Sequence, residues 1–141
     1  MKANFIQRGE AVDFVPSYDV GAGEIIRFGA LLGVVKIPVR TGEYGALHLS
    51  GIYDVVKSNE EVIAGSKIYW NEKEKIASTD ATGNLYLGIA ACHSVAKAGK
   101  VRVILNFGYP DMPEGVSSEG IQVELRRLPY SPITVEQPTG E

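Results

Sequence analysis

The sequence has few of the residues that build disulfide frameworks and metal centres. It contains one cysteine and two histidines in 141 residues. A single cysteine excludes a disulfide within the chain and favours a reducing compartment. Two histidines alone cannot form a conventional multi-histidine metal site, and the adjacent Cys92 and His93 would point to opposite faces of a strand. We therefore expect neither a metal nor another cofactor.

Long apolar runs and clusters of positive charge are also missing. No run approaches the length of a membrane span, and no signal-peptide pattern precedes the first predicted strand. We therefore expect a protein made and used in the cytoplasm, or in an assembly built there. The formal net charge is −3, and the densest positive cluster is Arg126-Arg127. Because phosphate contacts dominate affinity for nucleic acids, this balance disfavours a nucleic-acid partner.

Motifs for catalysis begin in two places and then fail. Gly21-Ala-Gly23 starts like a dinucleotide fingerprint, but Ile26 stands where the third glycine belongs. Gly99-Lys100 is followed by Val101 and lacks the preceding glycine of a phosphate-binding loop. There is no Gly-x-Ser-x-Gly elbow, and the acidic pairs fall in predicted turns. We predict no catalytic residues and therefore no enzyme; only convergent polar groups in a pocket would revive that alternative.

Glycine and β-branched residues are what the sequence has instead. Short apolar stretches alternate with turn signals, and no segment keeps a helical period, so we predict roughly seven to nine short strands. The spacing is typical of a small bent β-barrel or sandwich with short helical turns. Residues 66–70 and 76–79 are predicted to form a hairpin with a charged tip. Residues 30–39 and 46–56 are each predicted as one strand, bent at Gly33 and at Gly51.

The composition changes after Gly108. Residues 109–141 hold five of the seven prolines, with two basic and six acidic residues. We therefore divide the chain into a β-barrel domain at 1–108, including an N-terminal arm of about residues 1–15, and an acidic, Pro-rich extension. Within the extension, residues 121–125 alternate like one exposed strand, and the prolines near them limit further sheet pairing. Two alternatives stay open for the extension: packing on a neighbour, or a loose tail.

Aromatic residues are the best candidates for a contact between copies of the chain. Tyr69 and Trp70 are adjacent on a predicted strand, so their side chains face opposite sides and one of them is expected to point outward. Tyrosine and tryptophan are enriched in interface hot spots. We take Tyr69, Trp70 and Tyr53 as candidates for an oligomer interface, with burial in the core as the alternative.

Taken in order, several blocks of the sequence resemble a phage and prophage family of capsid decoration, or cement, proteins. Each block is short, but together the blocks cover about residues 1–107, and their order and spacing make the resemblance specific. The blocks are Asn4–Glu10, Val12–Phe14, Gly23–Ile26, Leu32–Val34, Gly42–Ala46, Gly51–Asp54, Ala64–Trp70, Thr82–Asn84, Leu87–Ala90 and Gly99–Val103.

The resemblance carries expectations about fold and function. Some members of the family were formerly labelled as RecA/RadA-family phage recombinases, a label that the missing phosphate-binding loop opposes here. The family implies a compact β fold related to lambda-like head decoration proteins, often a homotrimer. It implies a structural virion protein on the capsid exterior, assembled in the host cytoplasm, that binds the major capsid protein and stabilises contacts between coat subunits.

Within the N-terminal arm, the segment from Lys2 to Gln7 is the predicted capsid contact. We expect it to add a strand to an edge of the coat protein, with Phe5 or Ile6 as the apolar anchor. The alternative is that the arm pairs within its own barrel, which would equally satisfy its backbone groups. The other functional alternative is a small β-barrel module that binds nucleic acid or a small molecule. The capsid-contact candidates are Lys2, Asn4, Phe5, Ile6 and Gln7.

Overall fold

The computed structural model describes residues 2–108 and 133–135. Within these residues the chain is mainly β, as predicted, and its one helical element is a 3₁₀ turn at Ala96–Ala98. No helix in the described part is long and apolar enough to cross a membrane. The strands are β1 (Ala11–Pro16), β2 (Ile25–Phe28), β3 (Leu31–Val35), β4 (Gly45–His48), β5 (Ile52–Val56), β6 (Lys67–Asn71), β7 (Ile76–Ser78), β8 (Leu85–Ala90), β9 (Lys100–Leu105) and β10 (Ile133–Val135).

The strands form two five-stranded sheets. The first sheet has the order β10-β1-β4-β3-β2, and the second has the order β5-β9-β8-β6-β7. In the second sheet, a parallel bridge between Lys57 and Ala77 joins the end of β5 to β7. The two edges of this sheet therefore meet at one end, which gives the predicted bent, barrel-like form. The predicted hairpin with a charged tip is the β6–β7 pair, in which Tyr69 faces Ser78.

Strand β3 is buried on both of its faces and joins two apolar cores. Leu32 and Val34 belong to a core shared with the second sheet. Val35 points the other way, into a core enclosed by the first sheet, where Leu47 also lies. At Gly33 a Cβ atom would collide with the side chain of Leu47, so glycine lets these two strands pack closely. Opposite faces of one strand thus hold the two sheets together.

Two predicted strands differ from the structure. The stretch 46–56 was expected to be a single bent strand, but it is two strands in different sheets, because β4 ends at His48 and β5 begins at Ile52. Gly51, with a φ of 115°, makes the crossing, a backbone angle that favours glycine. The strand predicted at 30–39 is also shorter in the structure, because β3 ends at Val35. Beyond it, Val39 makes an isolated bridge to Val20.

Part of the extension returns to the body of the protein. Strand β10 pairs in parallel with β1, with Phe14 opposite Ile133. The Ser17 amide donates to the carbonyl of Val135 at 2.8 Å, and the Val135 side chain is buried in the core of the first sheet. The predicted strand at 121–125 lies outside the described residues. Nearby prolines were expected to limit sheet pairing, yet β10 supplies an edge strand.

Asn106 ties the end of β9 to the first sheet. Its φ of 55° places it in the left-handed region, which asparagine tolerates better than most residues. The side-chain Nδ2 donates to the carbonyls of Leu32 and Leu49, each at 2.9 Å. One side chain therefore satisfies two backbone acceptors, on β3 and just after β4, while its own amide donates to Leu87 at 2.8 Å.

Replacing Gly88 by alanine should destabilise the second sheet. A Cβ atom there would collide with the backbone carbonyl of Ile104 on β9, which cannot move without disturbing the ladder. We expect a loss of about 3 kcal/mol in the free energy of unfolding, measured by urea denaturation. Gly9→Ala is the control, because nothing lies within 4 Å of a Cβ at Gly9. Equal stability of the two variants would contradict the packing described for β8 and β9.

Asn106→Gly should separate the hydrogen bonds of Asn106 from its backbone angle. Glycine accepts the positive φ, so the variant loses the two side-chain bonds together with the buried Oδ1, which has no hydrogen-bond partner in the described residues. We expect a net cost of about 1–3 kcal/mol in unfolding free energy. Asn106→Ala should cost about 1 kcal/mol more, because alanine is strained in the left-handed region. Chemical denaturation of the three proteins should give that order. A glycine variant as stable as the parent would show that the Asn106 side chain gives no net stabilisation.

Candidate functional site

The predicted arm of about residues 1–15 divides in the structure: residues 11–15 belong to β1, whereas residues 2–8, which are called the arm from here on, lie outside the strands. All of its residues are exposed, and no described strand pairs with it. Phe5 is 81% exposed and Ile6 is 77% exposed, although both are large and apolar. Gln7 makes a local contact, in which its Nε2 donates to the Ala11 carbonyl at 3.3 Å. All five predicted contact residues lie in this arm: Lys2, Asn4, Phe5, Ile6 and Gln7.

The three aromatic interface candidates do not share a face. Trp70 points inward and is part of the core of the second sheet. Tyr53 packs partly against that core, and its hydroxyl donates to the Ser50 carbonyl at 2.8 Å. Tyr69 points outward and is half-buried, with its ring edge against Tyr86 at 5.8 Å between centroids. Of the three, Tyr69 is therefore the one on the outer surface of the sheet.

Sequence reasoning missed an apolar row on the same outer surface. The strand register places Ile52 opposite Ile104, and Ile104 opposite Ile89, so all three side chains lie on one face. Ile52 is 59% exposed, and the other two are half-buried. We call Ile52, Ile89 and Ile104 the isoleucine face. Outward positions of a sheet with one solvated face are normally polar, which makes this row unusual.

Charged residues border the isoleucine face. Arg102 lies opposite Asp54 in the next outward row, and its guanidinium donates to both carboxylate oxygens, at 2.8 and 3.0 Å. This hydrogen bonding lowers the pKa of Asp54. Lys67, opposite Ile89, and Lys100, opposite Val56, are exposed at the margins. The border therefore carries three cationic groups and one anionic group.

A shallow groove lies on the first sheet. It is lined by residues of β4 and of the loops before it, and Ile37 and Tyr44 there are 75% and 70% exposed. Half-buried His48 lines one side, where burial and the charge of Lys36 lower its pKa. His48 pairs with Ala11, the residue at which the arm enters β1. We call this surface the first-sheet groove; its lining residues are Ile37, Pro38, Val39, Glu43, Tyr44, Gly45, Ala46 and His48.

A buried lysine organises the loop after β5. Lys57 is 4% exposed, and its ammonium donates to four carbonyls, among them Glu60 at 2.7 Å and Val95 at 3.0 Å. The Glu60 carboxylate accepts from the Ser58 hydroxyl at 2.6 Å and from the hydroxyl and amide of Thr79 at 2.7 and 3.0 Å. All of these polar groups bond within the chain, so the cluster holds loops together and offers no open site.

Metal-binding groups do not converge in the described residues. No group of three or more histidine, cysteine, aspartate or glutamate side chains there could hold a metal ion. Exposed Cys92 is next to His93, whose Nδ1 accepts the Ala64 amide at 3.0 Å. That hydrogen bond gives the imidazole a structural partner. The surfaces that stand out are therefore the arm, the isoleucine face and the first-sheet groove.

Comparison with known proteins gives one match. The model of a family described as phage cement protein matches residues 6–105. The matched stretch begins within the arm and ends at the last residue of β9. No curated protein and no solved structure matches the chain.

Glu60→Gln should make the free energy of unfolding less dependent on pH in the acidic range. Burial alone would raise the pKa of Glu60, but hydrogen bonds from Ser58 and Thr79 and the charge of Lys57 outweigh it, so the pKa is lowered. A lowered folded-state pKa stabilises the protein above the unfolded-state pKa, and this stabilisation is lost as pH falls through the folded-state pKa. Near neutral pH we expect the variant to be less stable by on the order of 1 kcal/mol.

The measurement is urea denaturation of both proteins from neutral pH down to acid. The stability difference should shrink as the pH falls below the ordinary pKa of a glutamate and through the lowered folded-state pKa of Glu60, where the carboxylate of the parent protein becomes protonated. Glu74→Gln is the control, because Glu74 is exposed at the tip of the β6–β7 hairpin. A difference that stays constant with pH would mean that the charge of Glu60 is not what stabilises the loops.

Proposed function

The chain belongs to the phage cement protein family, and from this we propose that it binds the outside of an assembled phage capsid and stabilises the contacts between coat subunits. The family match carries the proposal, because it spans β1 to β9, nearly all of the described fold. A cement family implies a structural role in the phage virion and points to a non-enzymatic protein. The partner is the major capsid protein, and attachment follows assembly of the head in the host cytoplasm.

Selective binding to the assembled shell is enough to strengthen it. A protein that binds coat subunits in the lattice, and not the separated subunits, shifts the equilibrium toward the lattice by mass action. The gain grows with the concentration of cement protein relative to its dissociation constant. Packaged DNA presses outward on the shell, so this linkage slows rupture. Such a role requires a stable body and an exposed contact segment, and it needs no bond-making chemistry.

The arm is the proposed contact segment. Residues 2–8 are exposed and outside the strands, so their backbone groups are available to another sheet edge. Fully extended, seven residues reach about 23 Å, enough to cross onto a neighbouring subunit. Strand addition would supply backbone hydrogen bonds, and Phe5 and Ile6 would bury apolar surface that is now in water. The apolar surface buried in this way favours attachment.

Several copies acting together would strengthen attachment further. The family resemblance implies a homotrimer, in which three arms are presented to one symmetric position of the lattice. Once one arm binds, the others bind at a raised effective concentration, so overall attachment exceeds that of a single arm. Attachment of this kind depends on geometry, because arms that cannot engage together contribute no avidity.

Deleting residues 1–7 should abolish attachment to heads without unfolding the protein. The deleted segment contributes no strand and no buried side chain among the described residues, so the body should keep its stability. Co-sedimentation with expanded heads of the cognate phage measures attachment, and far-UV circular dichroism measures folding. Phe5→Asp and Ile6→Asp should each weaken attachment by about tenfold or more, as expected for apolar anchors.

Ile63→Asp is the matched control for the arm variants. Ile63 is also an exposed isoleucine, but it lies in the loop between β5 and β6. Its attachment should equal that of the parent. Full attachment of the truncated protein would place the coat contact elsewhere on the body. The proposed function would be overturned if the parent protein does not bind heads but binds single-stranded DNA in a filter-binding assay, with binding that weakens as the salt concentration rises.

A further inference from the structure

The core of the first sheet combines one stretch of the chain with a single residue from far along it. Its other buried members all lie within residues 14–47, whereas Val135 belongs to β10. The Val135 side chain is only 4% exposed. The family match ends at residue 105, so β10 is the one described strand outside it. Val135 therefore completes a core whose other residues come from the matched stretch.

Strand β10 also completes the pairing of β1. Strand β4 pairs with β1 from Ala11 to Phe14, and β10 pairs with it from Phe14 to Pro16. The second half of β1 therefore has β10 as its partner in the sheet. The Ser17 amide, just beyond β1, donates to the Val135 carbonyl at 2.8 Å. Strand β10 also lies close to β2, at the other end of the sheet. We call the space that β10 occupies between β1 and β2 the seam.

Strand β10 differs from the other strands in ways that are typical of a bound segment. It is three residues long, and it pairs in parallel. The ladders among β1 to β9 are all antiparallel. Residues 109–132 separate β10 from β9 in the sequence. Its place in the seam therefore depends on its contacts there, which are a short ladder and one buried valine.

We propose that the seam is a binding site for an extended peptide segment with a β-branched apolar residue, and that β10 is its detachable occupant. The site offers the edge of β1 and the apolar pocket that Val135 fills. Strand addition of this kind takes affinity from main-chain hydrogen bonds and specificity from the pocket. In the intact chain, the tether keeps β10 at a high effective concentration beside the seam. There it covers an edge that would otherwise be open to other strands.

Val135→Asp in the full chain tests whether β10 detaches. A charged side chain is too costly to bury in the apolar pocket, so β10 should leave the seam while β1 to β9 stay folded. Far-UV circular dichroism should match that of the parent, and the midpoint of thermal unfolding should be lower. In hydrogen exchange followed by NMR, the Ser17 amide should exchange at least about tenfold faster than in the parent, because it has lost its acceptor.

A synthetic peptide of residues 130–138 then supplies the strand separately. Added to the isotope-labelled Val135→Asp protein, it should move the NMR resonance of the Ser17 amide saturably toward its position in the parent. It should also raise the midpoint of unfolding, because it binds the folded state. The parent should bind the peptide at least about tenfold more weakly, because its own tethered strand competes. The same peptide carrying Val135→Asp should bind neither protein.

Ile63→Asp is the control, because it places the same charge on an exposed loop residue away from the seam. It should match the parent in every measurement. A Val135→Asp protein that is unfolded would overturn the proposal, since the fold would then depend on β10. Unchanged exchange at Ser17 would overturn it too, because β10 would not have detached. Absence of peptide binding, or equal binding of the valine and aspartate peptides, would show that the seam is not a strand-binding site.

Discussion

The burial of β3 on both faces is the constraint on which the molecule depends. Leu32 and Val34 complete the core of the second sheet, while Val35 on the opposite face completes the core of the first. A substitution on β3 disturbs the core that the substituted side chain enters. Both cores depend on the backbone hydrogen bonds that hold β3 in its sheet. Because β3 is common to the two cores, Ala11, where the chain enters the first sheet, is held in a fixed position relative to the isoleucine face.

Polar contacts make the junction between sheets specific where apolar packing alone would not. Asn106 donates to carbonyls on and beside the first sheet, and the Lys57 ammonium donates to carbonyls of two separate loops. Such groups stabilise one arrangement because any other leaves them unsatisfied in a site from which water is largely excluded. The result is a body that loses little conformational entropy on binding. That cost falls on the arm, which must become ordered at the coat surface.

Sequence reasoning identified the class of fold and several local features for physical reasons that act over short distances. Turn residues and charges predicted the hairpin of β6 and β7, and the lack of a helical period predicted that the described part of the chain would have almost no helix. The same reasoning predicted one strand where β4 and β5 are two, because an alternating pattern continues through Gly51 while the chain changes sheets. It also expected little pairing near the late prolines, whereas β10 pairs with β1.

Composition and spacing by themselves determined that this is a β protein without a recognisable catalytic motif, and the order of its short blocks pointed to the cement family. Only the tertiary structure decided which of Tyr69 and Trp70 faces water, and that Ile52, Ile89 and Ile104 form one row. Alternation along a strand says that neighbours face opposite ways, but not which way is inside. That choice is made by the register between strands distant in sequence, and by which sheet covers each face.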